Sequence, residues 1–175
     1  MNALNRRLLV GWLTAVGAGA VGVALGWKRF APESALPQAQ MDFWGSSVLK
    51  LNGEDLPMSP YLGRPLLVNF WATWCPPCVE ELPLIERYFQ QHRATAAVLA
   101  IAVDNTPAVQ QFLQRVPLSF DVGIAGMQGV ALSKSLGNAG GGLPFSLMFN
   151  RKGLVTHQKV GKLEAQDLDE WFKVS

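Results

Sequence analysis

Cys75 and Cys78 are the only cysteines of this 175-residue chain, and they stand three apart in NFWATWCPPCVEELP, Asn69 to Pro83. Two thiols at that spacing can ligate a metal, staple the fold, or cycle between dithiol and disulfide. A structural zinc site wants four ligands. The two histidines, His92 and His157, lie far from the pair and from each other, with no finger-like spacing. No metal site is therefore expected, although two thiolates alone can hold Cu(I). His92 reads as a solvated residue near a helix end and His157 as a strand residue, and neither is assigned a role. A staple is a poor use of the pair, because the stabilisation from cross-linking grows with the length of the closed loop. Redox cycling suits the spacing.

The flanking pattern supports that chemistry. PLLVNFW, residues 65–71, is a continuous apolar run of the kind found in a strand buried on both faces. Leu82, Ile85 and Phe89 fall at helical spacing, which predicts a helix from about Pro77 to His92. Cys75 then sits where strand gives way to helix, beside N–H groups without intrahelical acceptors and at the positive end of the dipole, both of which favour thiolate. Cys78, one turn further in, is expected to be shielded. Cys75 is the candidate nucleophile and Cys78 the residue that resolves the mixed disulfide. Pro76 and Pro77 stiffen the turn and remove two N–H donors, which alters the thiolate's stability and hence the potential. Glu81 lies three residues after Cys78, on the same helix face. A carboxyl beside a half-buried thiol has a raised pKa and can exchange protons as the disulfide forms and breaks. The competing reading is an exposed first-turn acid that complements the dipole, and it is the stronger one for Glu80. Trp71 and Trp74 read as core and lid, with Trp74 the better placed to touch a partner.

Other elements must position this pair. VLKL at 48–51 followed by Asn-Gly predicts a short strand or hairpin. Residues 96–104 read as a second buried strand, 105–116 as a helix capped by Asn105 or Thr106, 120–125 as a short strand and 128–137 as a short helix ending at glycine. After a glycine-rich loop, PFSLMFN and LVTHQKVG flank Arg-Lys-Gly as an antiparallel hairpin, and 163–172 closes as a helix. Strands alternating with helices predict an α/β fold, a mixed central sheet flanked by helices. Residues 30–47, rich in Pro, Ala, Ser and Gln without a period, read as linker to a domain over 48–175.

Composition sets the compartment. The chain is 49% hydrophobic and 16% charged, and the apolar excess is concentrated in residues 8–27, which carry no charge. As a helix that run spans about 30 Å, the thickness of a bilayer core. Residues 1–29 are thus expected to be an N-terminal membrane anchor, a transmembrane helix, rather than a cleaved signal, although AGA at 18–20 has the look of a cleavage site. Arg6 and Arg7 with the α-amino group slightly outweigh Lys28 and Arg29, which puts the N-terminus in the cytoplasm and the rest outside. A net charge of +2 without a basic stripe excludes a nucleic-acid partner. Exported chains meet oxidising conditions, where disulfides persist.

With these residues in hand, the chain resembles thioredoxin-fold proteins, and more narrowly the TlpA/ResA-like membrane-anchored disulfide reductases, over roughly residues 45–173. NFWATWCPPC matches the active-site signature, Glu81 the acid that follows it, and Pro83 the proline that kinks the active-site helix. GLPFSLMFNRKG matches the loop that carries a cis-proline, here Pro144, with Leu143 offering backbone groups to an extended substrate. Thioredoxins carry a buried Asp where this chain has Asn69, so any proton role passes to Glu81. The usual Thr after the proline is Phe145, which is expected to narrow or reshape the substrate groove. The resemblance implies an extracytoplasmic thiol-disulfide oxidoreductase at the bacterial inner membrane, its catalytic domain periplasmic. It would need no cofactor beyond its own disulfide. It would reduce disulfides in partner proteins, for example in cytochrome c maturation or copper-site assembly, with electrons from a membrane thiol transporter. The alternatives are a disulfide-donating oxidase, a peroxidase, for which Thr73 is present but the rest of the loop pattern missing, and a non-catalytic copper-binding module.

Overall fold

The structure, a computed structural model, describes residues 37–173. The expected anchor over residues 1–29 and the start of the expected linker lie outside the described residues. Within them no helix is long and apolar enough to cross a membrane.

The sheet is built outward from two strands buried at every position, β3 (Leu66–Trp71) and β4 (Ala97–Ala102), which run parallel. β5 (Asp121–Ile124) continues parallel beyond β4. On the other side of β3, β6 (Phe145–Phe149) and then β7 (Val155–Val160) add antiparallel. A hairpin of β1 (Ser47–Leu49) and β2 (Asp55–Pro57) joins β5 antiparallel through Leu49 and Ile124. The seven strands lie in the order β2-β1-β5-β4-β3-β6-β7, so the expected mixed α/β sheet is present.

Side-chain alternation along the strands divides the core in two. Leu67 and Trp71 of β3 pack with helices α2 (Pro76–His92), α3 (Thr106–Arg115) and α5 (Ala165–Lys173) on one face. Leu66, Val68 and Phe70 pack on the other, with α1 (Gln38–Trp44) and partly buried residues of α4 (Gln128–Ser135). Asn105 caps α3 as expected, its side chain accepting the Ala108 N–H at 3.0 Å.

One element departs from expectation. The second half of the segment read as linker is helix α1, whose Phe43 and Trp44 are buried. Phe43 stacks on Phe149 at 4.9 Å, and the Trp44 Nε1–H donates to Gly153 O at 2.9 Å. Gln40 Oε1 accepts the Val155 N–H at 3.2 Å. Seven residues carry too short a periodic signal to be read as a helix, and tertiary burial of two adjacent aromatics stabilises it instead.

Candidate active site

Cys75 is the last extended residue before α2, with φ −102° and ψ 100°. Its sulfur is joined to that of Cys78 by a disulfide of 2.05 Å, with 5.3 Å between the Cα atoms. Cys75 is 6% exposed and Cys78 not at all, which leaves Cys75 the more accessible sulfur of the two. The Val79 N–H already donates to Cys75 O at 3.1 Å, and Pro76 and Pro77, at the first helical positions, have no N–H. The several free donors expected beside the Cys75 sulfur therefore reduce to one in the first turn, the Cys78 N–H. The preceding loop is pinned from the segment that follows β4. Asp104 Oδ2 accepts both the Thr73 N–H at 2.9 Å and the Thr73 hydroxyl at 2.6 Å. Thr73 thus has a structural bond. Trp74, next to the nucleophile, stands out 64% exposed, while Trp71 is fully buried against Phe112 at 5.0 Å.

Glu81 is wholly buried, one helical turn beyond Cys78. Its Oε1 accepts from Asn69 Nδ2 at 2.7 Å and its Oε2 from the Leu163 N–H at 2.5 Å. Burial pushes its pKa up to about 7. The Leu163 N–H, the Asn69 amide and the ammonium groups of Lys159 and Lys162 act in the opposite direction. Glu80, by contrast, faces solvent and pairs with Lys162 at 3.0 Å. The second Nδ2 contact of Asn69 goes to Ser146 Oγ at 2.8 Å, and its Oδ1 has no partner among the described residues. The residue that stands in place of the thioredoxin acid is thus hydrogen-bonded to the acid that is present.

The Leu143–Pro144 bond is cis, as the resemblance implied. Pro144 is buried, and its carbonyl accepts the Gly161 N–H at 2.8 Å. Leu143 is half-buried and packs against the core that contains both cysteines. Pro83 lies within α2, which runs unbroken to His92, and its ring is exposed. The expectation for Phe145 is corrected: its side chain packs into the opposite core, 5.9 Å from Phe70, so it does not shape a groove on the cysteine side. Side chains on a strand alternate, and Phe145 and Ser146 point to opposite faces.

Sequence reading did not single out Ser146, Lys159, Leu163 or Asp104. One of them left a signal. Ser146 is the lone polar residue in an apolar strand, as Asn69 is in β3, and buried polar groups need partners. His92 and His157 stack on rings, His92 on Phe172 at 4.9 Å and His157 on Trp171 at 5.5 Å.

The Redoxin family profile matches residues 31–171. The chain is 28% identical over 172 residues to the thiol-disulfide oxidoreductase ResA of Bacillus thuringiensis (strain Al Hakam), covering 97% of this chain and 96% of the relative. It is 27% identical over 126 residues to the sporulation thiol-disulfide oxidoreductase A of Bacillus subtilis (strain 168), covering 69% and 73%. Among solved structures, a putative thiol:disulfide interchange protein DsbE from Chlorobium tepidum superposes with a TM-score of 0.65 at 26% identity, covering 74% of this chain and 91% of that one.

Proposed function

Since the chain belongs to the Redoxin family as a ResA-like member of the thioredoxin superfamily, we propose that it is an extracytoplasmic thiol-disulfide oxidoreductase that reduces disulfides in partner proteins. The observation that carries this reading is the Cys75–Cys78 disulfide at a strand–helix junction, with a buried carboxyl one turn behind it.

The reaction starts from the dithiol. The Cys75 thiolate attacks one sulfur of the partner's disulfide. That S–S bond breaks, a mixed disulfide forms, and the departing partner sulfur takes a proton from solvent. Cys78 then gives its proton to the Glu81 carboxylate, and the Cys78 thiolate attacks the Cys75 sulfur. The Cys75–Cys78 bond forms, and the second partner thiolate leaves and is protonated. Two electrons have passed from the enzyme's dithiol to the partner. A membrane thiol transporter, acting as dithiol donor, returns the enzyme to its reduced state. Trp74 contacts the partner, Leu143 offers it backbone groups, Pro144, lacking an N–H, abuts the disulfide, and the segment of residues 1–29 anchors the protein in the inner membrane. Partners of the kind used in cytochrome c maturation or copper-site assembly fit this direction of electron flow.

The test is a trap. Cys78→Ala cannot resolve the mixed disulfide, so partners should accumulate on Cys75 and be identified by mass spectrometry. An empty trap would contradict the reading. The direction is read from the reduction potential: a value well below about −200 mV supports a reductant, and one near about −120 mV an oxidase.

A further inference from the structure

A polar row crosses the sheet face beneath α2. Asn69 of β3 pairs in register with Ser146 of β6, and Ser146 with Lys159 of β7. Residues directly paired on adjacent strands share a face, and elsewhere this face is lined by Leu67, Trp71 and Met148. The row runs from the buried Glu81 carboxyl to the sheet edge, where Lys159 is 33% exposed. There the Lys159 ammonium is held by Asp167 Oδ2 at 2.5 Å, and the same oxygen accepts the Glu164 N–H at 2.7 Å. Asp167 is thereby fixed in the first turn of α5, and it fixes the ammonium in turn.

We propose that Lys159, aimed by Asp167, is a positioning residue for the Cys75–Cys78 chemistry: its charge biases Glu81 toward the carboxylate form that accepts the Cys78 proton. This rests on the thiol-disulfide reading above and adds the group that tunes its acid. A carboxyl wholly removed from water holds its proton too tightly to act as a base near neutral pH. A cation at the end of the row opposes that across the fully buried Asn69 and Ser146. The charged groups that act on Glu81 are Lys159 of β7 and Lys162 of the following turn, each paired to an acid, Asp167 of α5 and the solvent-facing Glu80 respectively. β3 and β6 contribute the neutral Asn69 and Ser146. Lys162 is about as exposed as Lys159, at 35% against 33%, but it lies in the turn after β7 and outside the row that joins Lys159 to Glu81.

Opposed signs make the test. In the full-length chain, solubilised in detergent, the Glu81 carboxyl is titrated directly by NMR of labelled glutamate, with Glu81→Gln assigning the signal. The rate of mixed-disulfide resolution is followed against pH alongside. Lys159→Met should move the midpoint of both curves up by about half a pH unit or more. Asp167→Asn leaves the ammonium unneutralised and should move it down. Lys159→Arg should keep the wild-type curve, and Lys50→Gln, in a remote exposed pair, should change nothing. A merely structural role would shift Lys159→Met and Asp167→Asn in the same direction. That result, or unmoved midpoints while Glu81→Gln still slows resolution, overturns the inference. Glu81→Gln with a wild-type profile would instead overturn the role of the acid in the proposed reaction itself.

Discussion

At the scale of single residues, the decisive pair is Glu80 and Glu81, adjacent in sequence and opposite in fate. Glu81→Gln keeps the shape and one of the two acceptors, enough for the Leu163 N–H, but turns an amide NH2 toward the Asn69 amide and removes the titratable proton. Thiol exchange should slow by about 10²-fold where proton transfer limits the rate, and its pH dependence should flatten. Glu80→Gln should leave the rate nearly unchanged, because Glu80 meets only Lys162 and solvent. Stability carries the same signature. The folded pKa of Glu81, about 7, lies above its ordinary 4.5, so the folded chain binds this proton more tightly than the unfolded one. Its contribution is then fully present below pH 4.5 and is lost as pH rises through 7. The loss approaches about 3 kcal/mol at most. Urea unfolding of the oxidised protein at acid and alkaline pH should show this fall in the wild type and not in Glu81→Gln. The i, i+3 spacing made Glu81 legible from the sequence. Its depth and its two donors were not, because they come from β3 and from the turn after β7.

At the scale of elements, α1 and β6 show how packing overrides local reading. Phe43 is fully buried and stacked on Phe149. Phe43→Ala should cost about 3–5 kcal/mol in denaturant unfolding, a value no linker residue would give. Near-zero loss would return the segment to a linker. Phe145 follows Pro144 directly, yet its ring belongs to the far core. Phe145→Ala should lower stability by a similar amount, about 3–5 kcal/mol. The folded fraction should keep its partner preference in disulfide-exchange competition. A changed preference at unchanged stability would put the ring back at the groove. The helix–strand pattern itself was legible almost element by element, since Leu82, Ile85 and Phe89 and the buried runs of β3 and β4 carry strong periods. Residues 38–44 lacked such a period, and the face each β6 side chain takes depends on its register with β3.

At the scale of the whole molecule, the proposed anchor in the apolar run at residues 8–27 would hold the enzyme at a membrane surface with its dithiol outside. Fractionated cells should keep the chain in a carbonate-resistant membrane pellet with its N-terminus intact. A soluble mature form beginning near Val21 would refute the anchor.

The sequence by itself determined the chemistry and the class of fold. Two cysteines three apart at the end of a buried strand and the start of a helix favour a redox pair over a staple or a four-ligand zinc site, because spacing and helix-end electrostatics are local. Alternating strand and helix signals then suffice for a mixed α/β sheet. Only the tertiary structure decided the environment of that pair. Asn69, Ser146 and Lys159 are up to 90 residues apart in the chain and become one row through strand register. The turn at Leu163 closes over Glu81 because α5 packs back against α2. Such contacts leave no local pattern to read, since register and helix docking are settled by the packing of the whole core, and it is they that set where the buried acid holds its proton.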